Sequence, residues 1–173
     1  MQTTRSSATT KATETETDIV ITRVFDAPRG QVWKAWTEPE RMKRWWGPHG
    51  FTTPVCTIDL RKNGVIHCCM RSPDGQDFWN KGVLREIVEP KRLAYTDSFS
   101  DEQGNVVSAV AYGMSPDWPL EALVTVTFDE QRGGKTKLTL RHAVTSAPAK
   151  ERADCTQGWT QLLDRLAEEL AKA

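Results

Sequence analysis

The N-terminal end of this sequence has no apolar stretch. Residues 1–17 contain no Val, Ile, Leu or Phe, so the apolar centre of a secretory signal is missing. No segment approaches the ~18 consecutive apolar residues of a membrane-crossing helix, and membrane insertion is not expected. Net charge is missing too: 23 Lys and Arg balance 23 Asp and Glu. A dedicated nucleic-acid binder normally carries a basic excess on one face, so that class is set aside. The four Cys (Cys56, Cys68, Cys69, Cys155) form no CxxC pair, and the three His (His49, His67, His142) share no metal-type spacing. No nucleophile–His–acid motif or glycine-rich phosphate loop occurs. The resulting expectations are no metal, no cofactor, a cytoplasmic address and free thiols.

What the chain does have is tryptophan, with seven Trp against two Tyr in 173 residues. Trp combines a broad apolar face with one N–H donor and serves cores and ligand cavities equally well. The length fits one domain, enough to bury on the order of 70% of the unfolded chain's surface. Residues 1–17 hold seven Thr and little apolar surface, which predicts a disordered tail. A single domain over 18–173 follows.

Residues 19–25 (IVITRVF) read as a strand. Asp26-Ala27-Pro28 signals a helix start, and Val32, Trp33 and Trp36 recur at helical spacing. Thr37-Glu38-Pro39-Glu40 has the form of a capping box and predicts a second short helix carrying Met42, Trp45 and Trp46, stopped by Gly47-Pro48. Six strands follow, over 53–60, 65–71, 78–88, 93–99, 120–129 and 135–144. Asn63-Gly64, residues 72–75 and Gly133-Gly134 punctuate them. Short turns between consecutive strands argue for an antiparallel meander. From Pro148 to about residue 170, Trp159, Leu162, Leu163, Leu166 and Leu170 form one apolar helix face. That face must cover the sheet, the one large apolar surface available.

Several motifs together resemble a known family. They are Val24-Phe25-Asp26-Ala27-Pro28, Val32-Trp33-Lys34-Ala35-Trp36, Trp45-Trp46-Gly47-Pro48, Met70-Arg71-Ser72-Pro73-Asp74-Gly75, Thr96-Asp97-Ser98-Phe99, Leu138-Thr139-Leu140-Arg141-His142 and Gly158-Trp159. They span about 18–171 and resemble the SRPBCC (START-like, Bet v-type) superfamily. More narrowly, they resemble the family of the C-terminal domain of the activator of heat-shock protein 90 ATPase. The resemblance implies an α+β helix-grip fold. A curved antiparallel sheet of six or seven strands wraps a long C-terminal helix, two short helices follow strand 1, and a cavity lies between sheet and helix.

Strand parity then proposes the cavity wall. Ile66, Cys68 and Met70 share the apolar face of their strand, Leu138, Leu140 and His142 another, and Val124, Val126 and Phe128 a third. The candidate ligand-binding residues are Trp46, His49, Phe51, Cys68, Met70, Trp79, Phe99, Trp118, His142, Trp159 and Leu163. Cys68, Met70 and Leu163 fit a filled core as well as a cavity wall, since the same residue types line both. His142 and His49 are, carboxylates aside, the neutral-pH candidates for acid–base chemistry, His142 against the alternative of a satisfied core histidine. Gly158 breaks helix propensity and suits close approach of another group. The apolar loop at 108–119 fits a lid, a homodimer contact or a segment packed on the sheet.

Three functions remain. The first is binding of a small apolar or aromatic molecule. The second is contact with the chaperone heat-shock protein 90, which the family resemblance implies. The third is a cyclase, dehydratase or isomerase acting on an aromatic or polyketide-like substrate.

Overall fold

The structure is a computed structural model and describes residues 11–14, 18–144 and 147–172. The alternating residues of β2 (Asp18–Phe25) put Ile19, Ile21, Arg23 and Phe25 inward. Two short helices, α1 (Arg29–Thr37) and α2 (Pro39–Met42), follow. Then come β3 (Thr52–Ile58), β4 (Val65–Arg71), β5 (Asp77–Val88), β6 (Arg92–Ser100), β7 (Ala122–Gln131) and β8 (Lys135–Ala143). The long helix α3 (Ala149–Ala171) closes the chain. The seven expected strands are present, all antiparallel, in the order β2-β8-β7-β6-β5-β4-β3. The N-terminal strand therefore pairs with the last one, Ile19 opposite His142 and Ile21 opposite Leu140.

Three local expectations change. Residues Lys11–Glu14, placed in the N-terminal tail by composition, form a further edge strand, β1, against β2; residues 1–10 and 15–17 lie outside the described residues. The capping box does not form. Thr37 ends α1 and donates its hydroxyl to the Trp33 carbonyl instead. The helix α2 stops at Met42, so Trp45 and Trp46 sit in the turn beyond it. Asn63-Gly64 does mark a reversal, but in a six-residue connection rather than a two-residue hairpin. Asn63 has φ +67°, and a Cβ on Gly64 would lie 1.9 Å from the Asp59 carbonyl oxygen, so only glycine fits there.

The core lies between the sheet and its helices. The indoles of Trp36, Trp45 and Trp46 meet edge to face, with Trp36–Trp45 centroids 4.9 Å apart and Trp45–Trp46 5.5 Å apart. Trp159 of α3 reaches Trp46 at 5.6 Å, also edge to face. Such pairs add about 0.5–1.5 kcal/mol each beyond the area they bury. Trp45 satisfies its N–H on the Ala35 carbonyl. From α3, Trp159, Leu162, Leu163 and Leu166 join this core. Arg165 fastens the same helix to the Trp turn, donating to the carbonyls of Trp46, Gly47 and Pro48 and, through its other terminal nitrogen, to that of Arg44. The inward Arg23 of β2 is paired with Asp164 of α3. Sheet and helix are thus held together by aromatic packing and by two arginines.

The loop after β6 packs down on the sheet. Its turn of 3-10 helix, Ala109–Tyr112, has Ser108 as N-cap. The Tyr112 hydroxyl donates to the Ser100 carbonyl at 2.5 Å and accepts from the Trp79 N–H at 3.2 Å. Its ring lies against Phe78 and Phe99. A bond from the Ser115 N–H to Glu151 Oε1 ties the end of the loop to α3. Of the apolar side chains in this loop, Val110 stays 53% exposed.

Candidate functional site

The core does not fill the space between α3, the sheet and this loop. A cavity of about 560 Å³ remains, within the ~300–1,000 Å³ range of small-molecule sites. Its apolar wall is made by Trp46, Met70, Phe99, Met114, Trp118, Trp159 and Leu162. Its polar wall is made by Asn80, Asp97, His142, Lys150, Glu151, Asp154 and Cys155. Gly158 also faces it, and a Cβ there would meet no other atom within 4 Å.

His142 is the most buried of the polar groups, at 2% exposure. Its Nδ1 accepts from the Trp159 indole N–H at 3.2 Å, with the Cys155 sulfur 3.7 Å away. Its Nε2 lies 3.5 Å from Asp97 Oδ2. Burial pushes the imidazole down to about 4 and the Asp97 carboxyl up to about 6. At neutral pH the imidazole is therefore uncharged and the carboxylate mostly ionised. Burial, with the Asp97 charge adding, pushes the Cys155 thiol up to about 12, which leaves it a protonated, unreactive thiol. Among the described residues no group of three or more His, Cys, Asp or Glu is arranged to hold a metal ion.

Six of the sequence candidates line this cavity: Trp46, Met70, Phe99, Trp118, His142 and Trp159. Five do not. Cys68 is fully buried in the sheet with its sulfur 3.1 Å from that of Cys56, its cross-strand neighbour. Leu163 is buried in the core beneath the cavity. Phe51 packs on Phe78. Trp79 stacks on His67 across β4 and β5, with ring centroids 4.8 Å apart. His49 is half exposed, with Nε2 3.6 Å from Asp164. Each has a plain physical reason. Trp79 pairs with Cys69 and so lies on the opposite face of β5 from Asn80, the residue of that strand that reaches the cavity wall. His49 follows the turn that Arg165 holds, and its ring lies toward Asp164 rather than in the cavity.

Sequence reasoning missed Asp97, Asn80, Glu151, Asp154, Cys155 and Leu162. A signal for Asp97 existed: it continues the alternation of the buried Leu93 and Tyr95 along β6. On α3, Glu151, Cys155, Gly158 and Leu162 recur at helical spacing, in register with Trp159.

The comparisons with known proteins agree with this architecture. The family described as "Activator of Hsp90 ATPase homolog 1-like protein" matches residues 26–171. The chain belongs to that family. Solved structures share the fold of this activator-like chain. A protein from Arthrobacter aurescens superposes with a TM-score of 0.80 at 21% identity, over 94% of this chain and 92% of that one. One from Nitrosomonas europaea gives 0.75 at 24% identity, over 92% and 97%. The AHSA1 protein of Silicibacter pomeroyi gives 0.69 at 22% identity, over 89% and 97%. No curated protein matches the chain. Among the described residues, no helix of this family member is long and apolar enough to cross a membrane.

Proposed function

We propose that this protein binds one small, largely apolar molecule, aromatic in character, in the cavity between α3 and the sheet. The observation that carries this is the cavity itself, about 560 Å³ walled by three indoles, a phenyl ring and two thioethers. A wall of mostly apolar groups with a few polar ones is the usual build of a ligand site. Polar groups on one side of it, His142 and Asp97 foremost, orient the guest.

The test is a thermal-shift screen against lipids, sterols, polyphenols and polyketide-like aromatics. A ligand at about 100 times its Kd adds roughly 2.7 kcal/mol, worth several degrees at about 2–4 °C per kcal/mol. Gly158→Met is the control. It extends a side chain from α3 into open cavity space and removes a helix-interior glycine worth about 1 kcal/mol of propensity. Its melting temperature is expected to equal or exceed that of the wild type while the ligand shift disappears. A shift that survives Gly158→Met places the ligand elsewhere, and no shift across the panel overturns the proposal.

Acid–base catalysis on the bound molecule is a second reading. It is favoured by one observation, a carboxylate and an imidazole of displaced pKa side by side on the cavity wall. Product analysis after incubation with each hit separates it from binding. The family's name suggests chaperone contact, and a change in the ATP turnover of heat-shock protein 90 on adding this protein tests that.

A further inference from the structure

Asp97 brings a carboxylate to the cavity without a counter-charge. It stands on β6 in line with the buried Leu93 and Tyr95, yet 32% of its side chain stays exposed, and the space it is exposed to is the cavity it lines. Among the described residues no Lys or Arg pairs with it, and its nearest side-chain polar neighbour is His142 Nε2 at 3.5 Å. That ring supplies no charge. An indole N–H only donates, so the Nδ1 that Trp159 reaches is bare and the imidazole is neutral. The remaining charges on the wall do not offset Asp97 either. Lys150 and Asp154 stand one turn apart on α3, both exposed, and cancel in sum. Glu151 adds a further negative charge, with its Oε1 held by the Ser115 N–H. Three carboxylates thus stand against one ammonium around the cavity.

A guest that settles beside Asp97 meets this negative charge. An anion is repelled by it and by Glu151. A neutral hydroxyl returns a hydrogen bond but no charge. An ammonium supplies the missing charge together with N–H donors. The rest of the wall suits the same group. Trp46, Trp118 and Trp159 all line the cavity. Trp118 and Trp159 stand edge-on to His142, with centroids 6.2 and 6.0 Å from its ring, which places both indoles near the carboxylate. Indoles attract cations electrostatically, more strongly where water is excluded. Burial has already taken Asp97 partly out of water and pushes its carboxyl up to about 6, so a cation that reaches it restores stabilisation that the ionised form lost on folding. We infer that the cavity selects organic cations, with an ammonium group seated against Asp97 and its apolar ring frame among the indoles. This rests on the ligand-binding function proposed above and names its ligand class.

Calorimetric titration of the full chain at pH 7.5 with three probes on one ring frame tests it: 2-naphthylmethylammonium, 2-naphthylmethanol and 2-naphthoate. A close pair of opposite charges in a desolvated site is worth at least about tenfold in affinity. We expect the ammonium to bind at least about tenfold tighter than the alcohol, with the naphthoate weakest. The order of these three affinities in the wild type decides the charge selection without any variant. Asp97→Asn keeps the size of the side chain and removes its charge. There the ammonium preference should shrink to about threefold or less, the share left to more exposed charges, while the alcohol still binds. Binding of the alcohol or the naphthoate as tight as that of the ammonium overturns the cation seat while leaving the apolar cavity in place. So does a tenfold ammonium preference that survives in Asp97→Asn. Failure of all three probes to bind overturns the ligand-binding function and this inference with it.

Discussion

At the scale of single residues, burial acts on Asp97 and His142 in opposite directions, and the sign of each can be read in acid. The unfolded imidazole takes its proton near 6.5, whereas the folded one resists until about 4. The fold therefore loses stability as pH falls through that window, by up to about 3 kcal/mol. The Asp97 carboxyl is displaced upward, from 3.8 to about 6. Its folded form takes a proton before its unfolded form does, so it stabilises the fold as pH falls from about 6 to 3.8. The two windows overlap and the contributions oppose each other. Asp97→Asn leaves the imidazole contribution alone. Urea unfolding at pH 7.5 and 4.5 should show this variant losing clearly more stability on acidification than the wild type does. Parallel losses in the two proteins would show that burial does not displace the Asp97 carboxyl.

At the scale of elements, the loop after β6 depends on one hydroxyl. Tyr112 joins the loop to two backbone groups of the sheet, on Ser100 and Trp79. Tyr112→Phe keeps the ring contacts with Phe78 and Phe99 and removes only those bonds, at a cost of about 1–2 kcal/mol. The amides of Gly113 and Met114, held by carbonyls of Ala109 and Val110, should then exchange with solvent about tenfold faster. Hydrogen exchange read residue by residue checks this, and unchanged rates there would show that the rings alone hold the loop. The strands themselves were legible because period-two alternation is local, as in β2 and β8. The capping box misled because Thr37 had a nearer acceptor on α1, and competition of that kind is invisible in a four-residue motif. The cavity wall was legible where parity was anchored by neighbours, at Met70, His142 and Trp159. It was lost at Trp79, where an aromatic residue was named without a strand parity and the wall position on β5 belongs to Asn80. Asp97 escaped because both faces of β6 are largely buried, so its alternation carries little contrast.

At the scale of the molecule, the helix that walls the cavity has to be held against the sheet although the space between them is partly empty. Close packing cannot supply all of that attachment, since wall atoms facing a void lack partners. The polar clamp at Arg165 supplies part of it. One terminal nitrogen of its guanidinium points at the carbonyls of Trp46, Gly47 and Pro48, and the other at that of Arg44. Those carbonyls belong to the turn that carries Trp46 into the cavity wall, so one side chain fixes both the helix position and the indole facing the ligand. Arg165→Met keeps much of the apolar stem and removes every donor. The freed carbonyls regain water only in part, and a loss of about 2 kcal/mol follows, or about 4–8 °C in melting temperature for a chain of this size. A second consequence separates the clamp from an ordinary surface arginine. Because the Trp46 turn is released, the environment of the indole cluster should change in the folded state, visible as altered near-ultraviolet circular dichroism well below the transition. A melting temperature within about 1 °C of the wild type, with that spectrum unchanged, would show that aromatic packing between Trp46 and Trp159 holds the helix without the clamp.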